Sequence, residues 1–227
     1  MIVAVHQPQY LPWLGYFDKI ASADVFVLLD TVQYKKNEWQ NRNRIKGPSG
    51  WQWLTVPVTY RFGQMIDDVI INNREHWQRR QSQAILSNYG KAPFRDDLMH
   101  TMDGIFSRPW EHLSHLNIFT VKMLSKILGI STPVYVASEL PPFPDRPDER
   151  LIAIAGYFGA ETYLAGSGGR DYMNLEKFER AGIEVRFQDY RHPVYRQLFA
   201  GFEPFLSVVD LILNHGSESL KILRGEK

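Results

Sequence analysis

Two short apolar runs bracket an amphipathic one at the start of the chain. Residues 2–5 (Ile-Val-Ala-Val) and 24–29 are rich in Val, Leu and Ile, the pattern of strands buried on both faces. Between them residues 13–22 fall at helical spacing, and Pro12 suits a helix's first turn. Strand, helix and strand in so short a span make the smallest unit of a parallel sheet. Residues 43–46 and 51–58 flank Gly47-Pro48-Ser49-Gly50, which predicts a β-hairpin, and residues 68–71 predict a further strand.

From about residue 74 to 129 the period becomes helical, through Trp77, Ile85 and Leu86, then Leu98, Met102 and Ile105, then Leu113, Leu116, Leu124 and Ile127. Pro93 and Pro109 divide this stretch into about three helices, and Gly129 stops the last. Alternation then returns: strand 134–137, proline-rich loop 141–147, helix 149–158, strand 162–165, helix 175–181, strand 184–187 and a final helix 206–214. The sum is an α/β fold. Its sheet is mainly parallel and Rossmann-like, with a β-hairpin and a helical lobe inserted in the middle, all read as one domain over residues 1–227.

Composition narrows the class. With 44% hydrophobic and 22% charged residues the chain is globular. A net charge of +1 supplies no global field, so neither DNA nor a membrane is expected as partner. Without cysteine there is no thiol nucleophile and no cysteine-ligated zinc. No basic region precedes the first apolar run, and no run approaches the ~20 residues that span a bilayer, so a cytoplasmic location is expected.

Ligands of open α/β sheets bind beyond the carboxyl ends of the strands, and three stretches fall there. His6-Gln7-Pro8-Gln9-Tyr10 follows the first strand. His6 there suits an acid, a base or a phosphate ligand, or equally a backbone-bonded strand end. Gln7, Tyr10 and Trp13 beside it favour a pocket. Asp30 ends the second strand, where a carboxylate holds a metal or ribose, or caps the next segment. Tyr34, Asn37, Trp39 and Asn41 then interleave with Lys35, Lys36, Arg42, Arg44 and Lys46, five basic residues against one acidic from 35 to 46. Such a run guards an edge strand or binds an anion, and the asparagines favour the anion. Gly166-Ser167-Gly168-Gly169-Arg170-Asp171-Tyr172 follows a later strand, where glycine N–H groups with Ser167, Arg170 and Tyr172 fit an oxyanion or a plain tight turn. It matches neither the phosphate-loop nor the dinucleotide spacing. Asp210 and Asn214 share one face of an apolar helix, either capping a neighbour or reaching a site. His112 and His115 have no third ligand nearby, so no metal site is expected.

The opening run through Leu11-Pro12-Trp13-Leu14-Gly15-Tyr16-Phe17, the Asp30-to-Tyr34 segment, Asn41-Arg42-Asn43-Arg44-Ile45-Lys46 with Leu54-Thr55-Val56-Pro57-Val58, Tyr195-Arg196-Gln197, and Leu206 to Gly216 together resemble the WbqC-like family. These anchors bracket nearly the whole chain; Thr31 and Arg170 depart from an acidic residue and a lysine. The family is named from bacterial surface-polysaccharide gene clusters. The resemblance implies a bacterial enzyme acting on a sugar nucleotide or related compound, with transfer of an amino acid such as glycine to an amine as a lead. Gln197 joins the candidate substrate-binding residues through its place in these anchors.

Three readings follow. In the first, a transferase of O-antigen type moves an acyl or aminoacyl group onto a sugar amine. His6 is its general base, Arg42, Arg44 and Lys46 hold phosphate, the 166–169 N–H groups face developing charge, and Asp30 orients a partner or magnesium. In the second, an activating enzyme uses ATP and magnesium, with a start that resembles nucleotidyltransferases but lacks HxGH. In the third, a non-catalytic subunit stacks a glycan or nucleotide on Trp13, Trp39 and Tyr34. The expected partner is a small molecule, a sugar nucleotide or amino acid, and a homo-oligomer is compatible with the chain.

Overall fold

The structure, a computed structural model, describes residues 1–226. Five parallel strands form the main sheet: β1 (Ile2–His6), β2 (Val25–Leu28), β7 (Val134–Val136), β8 (Thr162–Ala165) and β9 (Glu184–Phe187), in the order β7-β2-β1-β8-β9. The α/β reading with a Rossmann-like parallel sheet therefore holds. The chain starts at the centre, winds outward through β2 to β7, then returns to β8 on the other side of β1. The winding reverses between β1 and β8, which is where open sheets of this type form a crevice.

The strands carry different residues to the two faces. Ala4, Phe26, Leu28 and Leu164 share a core with α1 (Leu14–Ala21) and the middle helices α2 (Trp77–Tyr89), α3 (Arg95–Phe106) and α4 (Leu113–Ile127). Val3, Val5, Val25, Val27, Tyr163 and Ala165 face α5 (Pro147–Tyr157) and α6 (Leu175–Arg180). The middle stretch contains the three expected helices, and they lie on the same contiguous core as the sheet rather than apart from it. Leu14, Phe17 and Ile20, three residues apart, form the stripe by which α1 docks.

The hairpin is separate from the main sheet. β3 (Arg42–Gly47) pairs with β4 (Gly50–Thr55) around Pro48 and Ser49, and Gly50 takes a φ of +117° that favours glycine. Beyond it, β5 (Val58–Thr59) pairs with β6 (Ile70–Ile71); of the strand expected over 68–71, residues 70–71 form β6 and Asp68 ends a 3₁₀ turn (Ile66–Asp68). The last expected helix is α7 (Val208–His215), started by the Ser207 side chain accepting from Val209 N–H at 3.3 Å. A short α8 (Ser219–Arg224), which the periodicity does not announce, follows it.

Asp30 ties two strand ends. It is 2% exposed, and its carboxylate accepts from Ser138 N–H at 3.0 Å and Ser138 Oγ–H at 2.6 Å, just beyond β7. This is the capping use of the two expected, with one donor on each carboxylate oxygen. Replacing Asp30 with Ala removes the charged acceptor of both Ser138 donors, which then turn to water because Ser138 is exposed. It should lower the unfolding free energy by about 1.5–3 kcal/mol in urea titrations, the range of a hydrogen bond to a charged group, with ligand affinity per folded molecule unchanged.

Candidate functional site

A cavity of about 390 Å³ is walled by Trp13, Trp39, Arg44 and Phe205. Each wall is positioned by a different element. Trp13 precedes α1, and a β-carbon on Gly15 would run into its indole, so glycine there lets the ring fold over the helix start. Trp39 sits on the loop before β3, where its carbonyl accepts from Tyr10 N–H at 3.1 Å. Asn117 of α4 donates to the next carbonyl, that of Gln40, at 2.7 Å. Arg44 stands on the outer face of β3 beside Trp39, Trp51 and Trp53, with centroid distances of 5.6, 4.9 and 5.9 Å. Phe205 closes the cavity from the irregular strap between β9 and α7. Its φ of 58° is strained for a bulky residue. His192 holds it there: Nε2 accepts from Phe205 N–H at 3.2 Å while Nδ1–H donates to the Pro193 carbonyl at 2.8 Å. The His192 ring stacks on Trp13 at 6.4 Å, and burial lowers its pKa, favouring this neutral form.

The cavity adjoins the first sequence motif. Gln7 Oε1 accepts from Gln40 Nε2 at 2.6 Å, linking the end of β1 to the segment that carries Trp39. His6 donates Nδ1–H to the Gln7 carbonyl at 3.1 Å and meets Tyr16 edge-on at 4.8 Å, and the Tyr16 hydroxyl donates to the same carbonyl at 3.0 Å. Loss of solvation, aided by the nearby Lys19 cation, lowers the His6 pKa to about 3, so the ring is neutral over the ordinary range. Lys19, absent from the sequence candidates, is 3% exposed, and its ammonium donates to the Val5 carbonyl at 2.9 Å. Burial pulls its pKa down to about 7.

Other candidates belong to the scaffold. Tyr10 is fully buried with its hydroxyl on Gln81 Oε1 at 2.6 Å, and Tyr34 is buried against Tyr60. Asn41 donates to the Val56 carbonyl at 2.9 Å; Asn37, exposed at φ 66°, offers its carbonyl to Arg42. Lys46 is 1% exposed, with its ammonium on the Gly201 carbonyl, so the expected phosphate ligand instead pins the strap. Asp210 is fully buried and accepts from Tyr89 at 2.7 Å, Tyr195 at 2.8 Å and Gln197 at 2.9 Å, while Asn214 donates to its carbonyl at 2.7 Å. Desolvation raises the Asp210 pKa, and those donors with nearby Lys46 hold it down. Asp210, Gln197 and Asn214 thus join α2, α7 and the strap, and a site role is replaced by a structural one.

The glycine segment forms a 3₁₀ turn, Ser167–Asp171, beyond β8. The Gly169 N–H bonds the Gly166 carbonyl at 2.9 Å and is not available to an oxyanion. Arg170 lies on the Phe187 ring at 4.5 Å, and Ser167, Gly168 and Tyr172 face solvent. The structure therefore brings Trp13, Trp39 and Arg44 together around one cavity, adds Phe205 and the His192 stacked on Trp13, ties Gln7 to the Trp39 segment through Gln40, keeps His6 and Lys19 off the cavity wall, and leaves the 167–172 residues outside it. A larger depression of about 1130 Å³ along residues 59–74 includes none of these groups. Among the described residues no cluster of three or more His, Cys, Asp or Glu could hold a metal ion, and no helix is long and apolar enough to cross a membrane.

Comparison with known proteins covers nearly the whole chain. An uncharacterized protein of Mycobacterium tuberculosis (strain ATCC 25618 / H37Rv), Rv1507c, is 36% identical over 226 residues, covering 98% of this chain and 97% of that protein. No solved structure matches the chain. A sequence profile of the WbqC-like protein family matches residues 7–222, from the Gln7 that contacts the Trp39 segment to the start of the last helix turn. The chain belongs to the WbqC-like protein family.

Proposed function

We propose that the protein is a transferase of bacterial surface-polysaccharide or modified-sugar biosynthesis. It moves an acyl or aminoacyl group, glycyl among them, onto an amine of a sugar nucleotide or related phosphorylated acceptor. The observation that carries this is an aromatic cavity with a guanidinium in its wall, one side of it formed by Trp13 at the end of the segment that follows β1. Trp13, Trp39 and Phe205 offer faces for a base or sugar ring, and Arg44 an anion contact. His6 presents Nε2 as an acceptor, because Nδ1–H is held by the Gln7 carbonyl. With its pKa near 3, that nitrogen orients an incoming amine by accepting its hydrogen bond and holds a full proton poorly.

Ligand-induced thermal shift tests the binding half. Nucleotide sugars at about 100 times their dissociation constant should stabilise the protein by ~2.7 kcal/mol, and Trp39→Ala or Arg44→Met should remove the shift while leaving the unliganded midpoint near wild type. ATP and magnesium, screened alongside, separate this reading from the activating enzyme: pyrophosphate release would favour the latter. If no nucleotide shifts the wild type, the acceptor assignment fails.

The buried bases also predict a pH dependence of stability. Lys19 has a folded pKa near 7 against an ordinary 10.5. Between these values the unfolded chain binds more protons, so unfolding free energy rises with pH, by at most about 1.4 kcal/mol per unit. Urea titrations from pH 7 to 10 should show this rise in the wild type and its absence in Lys19→Met. His6 acts with the same sign lower down: its contribution is lost as pH falls from 6.5 towards 3.

A further inference from the structure

The outer face of the hairpin extends beyond the cavity. Trp39, Trp51 and Trp53 are 37%, 44% and 39% exposed, although indoles of this size ordinarily pack inside. They form a row by contact, Trp51 edge-on to Trp53 at 5.4 Å and Trp53 tilted against Trp39 at 5.7 Å. Guanidinium groups interleave with them: Arg42 lies over Trp53 at 4.4 Å and Arg44 over Trp51 at 4.9 Å. Among the described residues Arg42 bonds the Asn37 carbonyl and Arg44 the Phe205 carbonyl, which leaves further N–H donors on each for a ligand. At Trp39 the row meets the cavity.

Exposed aromatic faces alternating with cations suit a single-stranded nucleic acid, whose bases stack while its phosphates meet the guanidinium groups. The extent of the row limits the ligand. Arg42 and Arg44 match two phosphates, and a chain of net charge +1 supplies no global field for a duplex. A neutral sugar chain would use the indoles and the N–H donors but leave the charge of both guanidinium groups unmatched.

We propose that this row holds the single-stranded 3′ end of an RNA whose terminal ribose carries the transferred amino acid as an ester, delivering that ester to the cavity mouth at Trp39. The proposal rests on the aminoacyl-transfer reading above and names its donor. The acceptor amine attacks the ester carbonyl carbon, a C–N bond forms, and the C–O bond to the ribose breaks. The amine's proton ends on the departing ribose oxygen, so the products are an amide and an RNA with a free hydroxyl. The ester is already activated, and the step needs no oxidant and no further co-reactant.

Tryptophan fluorescence titration with the uncharged tetranucleotide RNA 5′-ACCA-3′ tests it. Saturable quenching is expected. The logarithm of the affinity should fall against the logarithm of salt concentration with a slope of about −1.4, the value for two neutralised phosphates on a single strand. Trp51→Ala and Trp53→Ala should each weaken binding about tenfold, with an unchanged thermal midpoint showing that the hairpin still folds. Absence of quenching overturns the proposal. So does binding of AMP as tight as that of the tetranucleotide, which would confine recognition to the cavity, or equal quenching by dextran sulfate that ignores both tryptophan changes. A nucleotide-sugar thermal shift with no response to RNA overturns this inference alone. RNA binding that depends on Trp51 and Trp53, without any nucleotide-sugar shift, supports it and removes the acceptor half of the earlier reading.

Discussion

The register of the β3–β4 hairpin is the constraint on which the rest of the site depends, and Asn43 holds it. Side chains alternate along a strand, so fixing one inward residue fixes its neighbours. Asn43 is 1% exposed; its Nδ2 donates to the Leu11 carbonyl at 2.7 Å, and its Oδ1 accepts from Arg44 N–H at 2.8 Å. With Asn43, Ile45 and Leu54 turned inward, Arg42 and Arg44 face out beside Trp53 and Trp51. A slip of β3 by one residue would turn both guanidinium groups inward and expose Asn43 and Ile45, which the core cannot tolerate. The same contact holds Leu11 at a φ of 44°, a conformation it would not adopt alone. That bend lets the Pro12 carbonyl accept from Val208 N–H at 2.8 Å, while the Arg44 carbonyl accepts from Ser207 N–H at 2.9 Å. One buried amide therefore aligns the β1 loop, the cationic face and the start of α7.

What could be read from the sequence divides along physical lines. The parallel strands were readable because residues such as Val3, Val27 and Leu164 are apolar on both faces, and the hairpin because Gly47 to Gly50 leaves few other conformations. Trp13, Trp39 and Arg44 stood out because a core has little use for a cation between indoles. Lys46, Asp210 and Gln197 were misplaced for a related reason: composition does not distinguish a polar group aimed at a ligand from one satisfied by a partner far along the chain. Tyr89 reaches Asp210 across 121 positions, and no local pattern reports that. Phe205 and His192 were missed because the strap has no periodicity, and its shape comes from single contacts to His192, Arg44 and Lys46.

Lys19 shows how the fold opens its own crevice. An ammonium in a core with one carbonyl acceptor is costly, and an apolar residue would pack α1 more stably. Its position suggests what offsets that cost. Met1 accepts from Thr162 N–H at 3.2 Å, so alternation along β1 turns the carbonyls of residues 1, 3 and 5 towards β8. The last registered pair of these strands is Ala4 with Leu164, and the Val5 carbonyl is held by Lys19 instead of by a further amide of β8. With that carbonyl satisfied from α1, β1 and β8 can part without leaving a buried acceptor unpaired. The registered pairs with β8 stop at Ala4 where the winding reverses, while His6 continues the ladder only on the β2 side, opposite Leu28. The depressed basicity of both Lys19 and His6 follows from that same burial. A residue that weakens the core is thus the one that satisfies the carbonyl where β1 outruns β8, beside a neutral imidazole.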